Sequence, residues 1–290
     1  MPELPEVETV RRDLDQYIKG KKITEVVVKP DFAKKIEPSV KVFEHELVGK
    51  TVKNVRRRGK LLFFDLKSTD HHVLAHLKMT GQFVFQRPDG DIVPGGHPIE
   101  QTCDRPDNYN KVMFSFGRHG KLYYNDVRKF GYLKLVDGQA AKHAYDKFGL
   151  EPLDKGFTLK HFREVLKRKE NLAIKKVLLM QDLIAGIGNI YADESCFAAG
   201  IRCDRKIKTL SEKEIQKLHE AIKRILKKAV KYRRTSVANY IDCLGEKGSY
   251  AQFLNVYHRV GKICKKCGKA EIKRSVVGGR GTAYCPVCQK

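Results

Sequence analysis

Two pairs of cysteines near the C-terminus constrain this chain more than any other feature. Cys264-Lys-Lys-Cys267 and Cys285-Pro-Val-Cys288 are separated by 17 residues. That spacing matches a four-cysteine zinc ribbon, in which four thiolates close a tetrahedral, structural site with no open position for chemistry. The intervening EIKRSVVGGRGTAYC reads as two short strands joined by a Gly-Gly-Arg-Gly tip. A unit this small has too little core to fold alone, so a metal supplies much of its stability. The competing reading, two disulfides or free thiols, is disfavoured by a reducing compartment. Cys103, Cys196, Cys203 and Cys243 are scattered and read as structural thiols. Zinc ribbons serve many functions, so the cysteines alone name no partner. Arg280 narrows the choice, because an arginine held out between glycines is rewarded by phosphate or a base and by little else.

Charge points the same way. Lys and Arg number 58 against 34 Asp and Glu, a formal net charge of +24. Self-repulsion on that scale destabilises a compact protein, and a polyanion relieves it. Nucleic acid is the usual polyanion, and a generically basic ribosome-associated or membrane-adapted protein is the alternative. No apolar run is long enough to span a membrane. The N-terminus, MPELPEVETV, lacks the basic-then-apolar form of a signal peptide. The expected location is the cytoplasm, with nucleoid association in a bacterium.

Along the 290 residues, the pattern changes from strands to helices. Val7, Val10, Leu14 and Ile18 fall on one helical face. Pro5 suits the first turn of that helix and Gly20 its stop. Strand-like stretches follow at Ile23–Val28, Thr51–Leu66, His72–Phe85, Lys111–Phe116, Lys121–Asn125 and Gly131–Val136. This order predicts a β-sandwich or barrel with one leading helix. The composition shifts over residues 137–155, which read as a linker. Beyond it, Thr158 caps a helix reaching Arg168, a second helix covers Ala173–Leu183, and Ser211 opens a capping box. That last helix has an apolar stripe of Ile215, Leu218, Ile222, Leu226 and Ala229. Its Lys217, Lys223, Arg224, Lys227 and Lys228 make either a DNA-facing surface or a solvated face. The Asp89–Tyr109 stretch, rich in Pro, Gly and Asp, reads as a loop.

The N-terminus also offers chemistry. A small residue after Met1 normally leads to removal of the methionine, which would expose the secondary amine of Pro2. An α-amino group titrates at about 7.7–8, far below lysine, so part of it is a neutral nucleophile near pH 7. Such an amine can attack a sugar anomeric carbon and form an iminium ion. The helix dipole lowers its pKa while Glu3 and Glu6 raise it, so the net shift cannot be signed from sequence. Glu3, adjacent to the amine, is a candidate either to protonate the sugar ring oxygen or to shuttle protons. Taken alone, these residues mean little, since most Met-Pro starts simply lose the methionine and Glu is favoured at helix starts.

Together, separated segments carry a resemblance. MPELPEVETVRR, RRGK at Arg57–Lys60, HLKMTG at His76–Gly81, NDVRKFG at Asn125–Gly131, GIGNIYADE at Gly186–Glu194 and VVGGRGTAYCPVCQ at the end resemble the formamidopyrimidine-DNA glycosylase family, in the same order along the whole chain. The resemblance implies an α+β multidomain protein. A catalytic β-sandwich with its leading helix occupies residues 1–136. Residues 156–250 form a helix–two-turn–helix DNA-binding domain, and residues 254–290 the zinc finger, the two domains flanking a DNA cleft. It also implies roles. Pro2 is the nucleophile and Glu3 the general acid, with Lys60 and Arg280 completing the catalytic set. Lys60 contacts a phosphate near the lesion, and His76, Asn189 and Arg280 hold the phosphates flanking the flipped nucleotide. Met79, Arg128 and Phe130 fill the gap that the extruded nucleotide leaves, Arg128 pairing with the estranged cytosine. Without the resemblance, Met79 and Phe130 read as core residues on strands. Glu6 and Glu194 support the active site, and the Cys243–Gln252 segment falls where the family has a lid.

The resemblance further implies a base-excision repair enzyme, a DNA glycosylase/AP lyase acting as a monomer on double-stranded DNA with oxidised bases, with one structural Zn2+. It removes 8-oxoguanine and formamidopyrimidines and cuts the strand by β,δ-elimination through a Schiff-base-type iminium. The rivals are an endonuclease VIII-like glycosylase for oxidised pyrimidines, a non-catalytic DNA-binding relative, and a ribosome-associated zinc-ribbon protein. The chain departs from the family in DNYNK before Val112, where a His-rich stretch is common, and at Ala238, where many relatives are basic. Both departures bear on lesion preference rather than on catalysis.

Overall fold

The computed structural model describes residues 1–90, 92–96, 109–232 and 251–290. They fall into two compact units, divided between Asp146 and Lys147.

The first unit opens with helix α1 (Leu4–Ile18), which buries Val7, Val10, Leu14 and Ile18. Pro5 sits in its first turn, where the missing N–H costs nothing. Gly20, just past its end, takes φ +78°, a conformation that disfavours any residue with a Cβ. Then come β1 (Glu25–Val28), β2 (Ile36–Glu37), α2 (Val40–Leu47), β3 (Val52–Arg58), β4 (Leu61–Leu66), β5 (His72–His76) and β6 (Gly81–Gln86). The unit closes with β7 (Ile92–Gly96), β8 (Asn110–Ser115), β9 (Lys121–Asp126), β10 (Tyr132–Val136) and helix α3 (Gly138–Asp146).

Two five-stranded sheets result, in the orders β1-β8-β9-β6-β7 and β2-β10-β5-β4-β3. Their inner faces share one core with α1 and α2, as where Phe64 of β4 packs on Phe83 of β6 with ring centroids 5.4 Å apart. The unit is therefore a β-sandwich. Strand β4 is buried along its whole length, because α3 covers its outer side: Tyr145 packs edge-on against Phe63 and receives the Arg58 guanidinium on its face.

Several elements differ from the sequence reading. The stretches Thr51–Leu66 and His72–Phe85 each hold two strands, the first broken at Gly59, φ +58°. Helix α2 is short and was not foreseen; Ser39 caps it, accepting from the Val42 amide at 3.3 Å. The 137–155 stretch, read as a linker, carries α3. The 89–109 stretch, read as a loop, contains β7, paired to β6 from Gln82↔Gly96 to Gln86↔Ile92. Residue 91 and residues 97–108, including Cys103, lie outside the described residues. So do residues 233–250, which hold Ala238, Cys243 and most of the candidate lid.

The second unit contains α4 (Leu159–Lys167), α5 (Ile174–Leu178), α6 (Asn189–Ala199) and α7 (Glu212–Lys231), then a hairpin of β11 (Lys273–Val277) and β12 (Arg280–Tyr284). Thr158 caps α4 by accepting from the His161 amide. Ser211 and Glu214 cap α7 reciprocally, and the predicted stripe of α7 is buried. The helix expected over Ala173–Leu183 stops after one turn. Gln181 explains the stop: its amide donates to the carbonyls of Leu179 and Ile187 and accepts from the Gly186 amide, folding the chain into a turn instead. In the hairpin, Gly278 and Gly279 take φ +59° and +73° between paired Val277 and Arg280. Two successive positive φ values make a two-residue turn matched to strand twist, which glycine adopts at least cost.

Candidate active-site residues and metal centre

In the sandwich unit, the start of α1 lies with three of the four predicted catalytic residues, Pro2, Glu3 and Lys60. Pro2, Glu3, Glu6 and Lys60 are all buried. Glu3 is the N-cap of α1, and its amide donates to Glu6 Oε2 at 2.9 Å. Around the Met1 amine lie Glu3, Glu6, Lys60 and Arg128. Burial lowers the pKa of that amine and outweighs the two glutamates, with Lys60 and Arg128 lowering it further. For the Met1 amine the net shift is thus downward.

Lys60 is held by local wiring. Arg57 donates to the Gly59 carbonyl at 2.9 Å and to Glu8 Oε2 at 3.1 Å. Glu8 also binds Arg11 and Arg12. The Gly59–Lys60 turn is therefore tied to the same helix that begins at the terminal amine. Sequence reading missed Glu8 and Arg57, although Arg57 lies within the RRGK segment; what it lacked was a partner 49 positions away.

His76 ends β5 opposite Leu61, next to Lys60. Its Nδ1 accepts from the Lys78 amide at 2.9 Å, so the ring proton sits on Nε2 and the ring can donate there while neutral. Burial, with Lys78 and Lys60 nearby, pulls its pKa down to about 3. An unfolded histidine titrates near about 6.5, so below that pH the unfolded chain binds more protons than the folded one. Stability from this group is fully present above about pH 6.5 and drains away as the pH falls toward 3. Replacing His76 with Gln should flatten the loss of urea resistance between pH 7 and pH 4.5. An unchanged slope would show that the ring is not held neutral.

Met79, Arg128 and Phe130 stand on two turns of this unit. Met79 is 40% and Phe130 48% exposed, too open for the core reading. Arg128 lies over the Phe130 ring, 4.6 Å from its centroid. Lys78 and Lys129, each directly before one of these apolar side chains, take φ +48° and +53°. Left-handed backbone at residues other than glycine is uncommon and gathers where function fixes the geometry.

In the second unit, Asn189 opens α6 and Arg280 opens β12, exposed beyond the glycine turn. Asn189 Nδ2 donates to the Gly281 carbonyl at 2.9 Å, so the two predicted phosphate contacts are brought together. Asn189 Oδ1 is buried and has no hydrogen-bond partner among the described residues. Glu194 goes elsewhere. From the middle of α6 its carboxylate accepts from the amides of Asn255, Val256 and Tyr257 and from the Asn255 side chain, fixing the chain as it enters the finger.

A network that the sequence did not reveal secures the hairpin. Lys175 of α5 and Asp193 of α6 form an ion pair of 2.5 Å, with side chains 0% and 1% exposed. Lys175 also donates to the Gly281 carbonyl and Thr282 Oγ1, and Asp193 accepts from the Ala283 amide. The available signal was an acidic residue inside the apolar run NIYADESCFAA.

The Sγ atoms of Cys264, Cys267, Cys285 and Cys288 all lie within 4.8 Å of one another, a group positioned to bind a metal ion. Cys264–Cys288 and Cys267–Cys285 are 3.9 and 3.8 Å apart. A tetrahedral ion with sulfur ligands at about 2.3 Å has sulfur–sulfur edges of about 3.8 Å. Cys264 and Cys285 also pack with Ile272 and Ala283 against Phe197 of α6.

Residues 1–133 match the family model of the formamidopyrimidine-DNA glycosylase N-terminal domain, and residues 148–240 that of the same family's H2TH domain. Fold and matched domains together define a DNA glycosylase of the helix–two-turn–helix class. The formamidopyrimidine-DNA glycosylase of Listeria monocytogenes serotype 4b is 40% identical over 293 residues, covering all of both chains. That of Bacillus cereus strain ATCC 10987 is 38% identical over 291 residues, covering 100% of this chain and 99% of its own. Two solved structures of Lactococcus lactis Fpg, one with DNA containing an abasic site and one with DNA containing N7-benzyl-Fapy-dG, superpose with TM-scores of 0.85 at 37% identity. The first match covers 99% of each chain and the second 100%. This chain belongs to the formamidopyrimidine-DNA glycosylase family and is a DNA-binding repair enzyme. No helix among the described residues is long and apolar enough to cross a membrane.

Proposed function

We propose that this enzyme excises oxidised purines, chiefly 8-oxoguanine opposite cytosine and ring-opened formamidopyrimidines, from duplex DNA and then cleaves the abasic strand by β,δ-elimination. The observation that carries this reading is the terminal amine placed beside Glu3, Glu6 and Lys60, its pKa lowered by desolvation. With Met1 removed, Pro2 provides that amine in the same surroundings, where burial favours the neutral nucleophile. Its lone pair bonds to C1′, and the damaged base departs with the glycosidic electrons. Glu3 takes the proton that the amine sheds on bonding to C1′ and delivers it to the ring oxygen as the sugar opens, which leaves an iminium between Pro2 and C1′. Glu6 holds the Glu3 backbone, and Lys60 contacts a phosphate beside the lesion.

His76, Asn189 and Arg280 bind the flanking phosphates. His76 donates from Nε2 and Arg280 from its guanidinium. Met79, Arg128 and Phe130 fill the vacated space, as apolar wedges do when base steps are unstacked. Glu194 supports the site at one remove, through the chain that enters the finger. Cys264, Cys267, Cys285 and Cys288 hold one Zn2+, which contributes folding energy to the finger and no chemistry. The enzyme acts as a monomer in the cytoplasm.

Borohydride trapping on a duplex with one 8-oxoguanine opposite cytosine tests the reading. A covalent adduct mapped by mass analysis to Pro2 is the expected result. An adduct formed only on a thymine glycol duplex would move the enzyme to the oxidised-pyrimidine branch. No adduct on either, with Met1 shown to be absent, would leave a DNA-binding protein without this chemistry.

A further inference from the structure

Asp126 is fully buried, 0% exposed, at the end of β9, where it pairs with Gly81 at the start of β6. None of the roles assigned above uses it, nor Thr80 beside it, although both lie within the HLKMTG and NDVRKFG segments. Their contacts converge. Thr80 Oγ1 donates to Asp126 Oδ1 at 2.5 Å and accepts from the Arg128 amide at 3.1 Å. Asp126 Oδ1 also accepts from the Arg128 amide, and Oδ2 accepts from the Gly131 amide at 2.7 Å. The carboxylate thus spans the 126–131 turn from inside, and the Thr80 hydroxyl bolts that turn to the turn carrying Met79. The surroundings allow little slack: a Cβ on either Gly81 or Gly131 would collide with the Tyr124 hydroxyl. A second tie acts from outside, where Asp31 pairs with Lys129 at 2.6 Å and with Lys111 at 2.7 Å.

We infer that the Thr80–Asp126 bond is a latch that makes Met79, Arg128 and Phe130 act as one rigid insertion element. Thr80 and Asp126 are then positioning residues for nucleotide extrusion and for reading the base opposite the lesion. This rests on the gap-filling role proposed above. The physical reason is the cost of order. Three exposed side chains on two separate turns would each lose conformational freedom on entering DNA. Turns locked together in advance have already lost most of it. Reading the opposite base also needs Arg128 at a fixed depth, and both acceptors of the Arg128 amide belong to the latch.

Thr80→Val tests this cleanly, because it removes the hydroxyl and nearly preserves shape. Excision of 8-oxoguanine should be measured opposite cytosine and opposite adenine, with a fluorescent 2-aminopurine beside the lesion reporting unstacking. Borohydride trapping on single-stranded abasic DNA, which needs no extrusion, isolates the chemistry and confirms folding. The expected result is a loss of about tenfold in the cytosine-over-adenine preference, scaled to the loss of one side-chain hydrogen bond, with slower unstacking. Single-stranded trapping stays within about twofold of the parent, and Thr80→Ser, which restores the hydroxyl, recovers the preference. An unchanged preference and unstacking rate would overturn the latch, as would equal loss in single-stranded trapping. If the parent enzyme itself fails to excise 8-oxoguanine, the proposed function fails rather than the latch.

Discussion

Pro2→Gly and Glu3→Gln should each lower base excision by about two to four orders of magnitude while leaving affinity for lesion DNA within a few-fold of the parent. Glycine keeps a terminal amine but makes it primary. A secondary amine condenses directly to an iminium that is positively charged at any pH, whereas a primary amine gives an imine that must still gain a proton. Glutamine keeps the length of Glu3, the N-cap of α1, but has no acidic proton to deliver. Neither residue is a proposed phosphate contact, so binding has no reason to collapse. Removing the Glu3 charge in a cationic site should, if anything, tighten binding at low salt.

The pH profile adds a check on Glu3. Glu3 raises the pKa of the terminal amine where it now lies, so its loss should move the acidic limb of the residual rate to lower pH. Single-turnover excision and equilibrium binding, measured on the same duplex across pH, test all of this. Affinity that falls in step with rate would remove both residues from the chemistry.

What the sequence made legible was long, periodic or closely spaced. The stripe of α1 and the stripe of α7 repeat over several turns, and each paired cysteine stands three positions from its mate. Side chains such as Cys264 and Cys285 therefore announce their neighbourhood without a fold. The resemblance then implied what periodicity could not, namely the roles proposed for Lys60, His76 and Arg280, which occupy one strand or turn apiece.

Short elements stayed hidden. Helix α2 has eight residues and β2 only two, too few for a period to emerge. The opposite error occurred at Ala173–Leu183, where apolar spacing favoured a long helix and Gln181 folded the chain back on itself. Least legible were the ties that hold the site in place. Arg57 meets Glu8, Thr80 meets Asp126, and Lys175 meets Asp193 across separations of 49, 46 and 18 residues. Each is a single polar contact whose partner only the fold selects.

Lys175→Ala should destabilise the second unit by about 3–5 kcal/mol, the usual cost of removing one partner of a buried ion pair. The Lys175 ammonium has three donors, and Asp193, the Gly281 carbonyl and Thr282 use all three. Their loss strands a carboxylate that is 1% exposed. Lys175→Met restores the volume but not the charge, so it should be nearly as damaging. Adding Asp193→Asn to Lys175→Met should recover most of the loss, because it cancels the stranded charge and keeps an acceptor for the Ala283 amide.

Urea unfolding monitored on the intact protein gives the stability, and binding to duplex DNA gives the functional reading. Lys175 and Asp193 grip β12 directly after Arg280, so the single variants should also weaken DNA binding. The double variant then separates two causes. If it regains stability and binding together, the pair serves the hairpin through fold stability alone. If it regains stability while binding stays weak, the ammonium's bonds to Gly281 and Thr282 set the direction in which Arg280 points. A single variant as stable as the parent would mean that the pair contributes nothing to holding the hairpin.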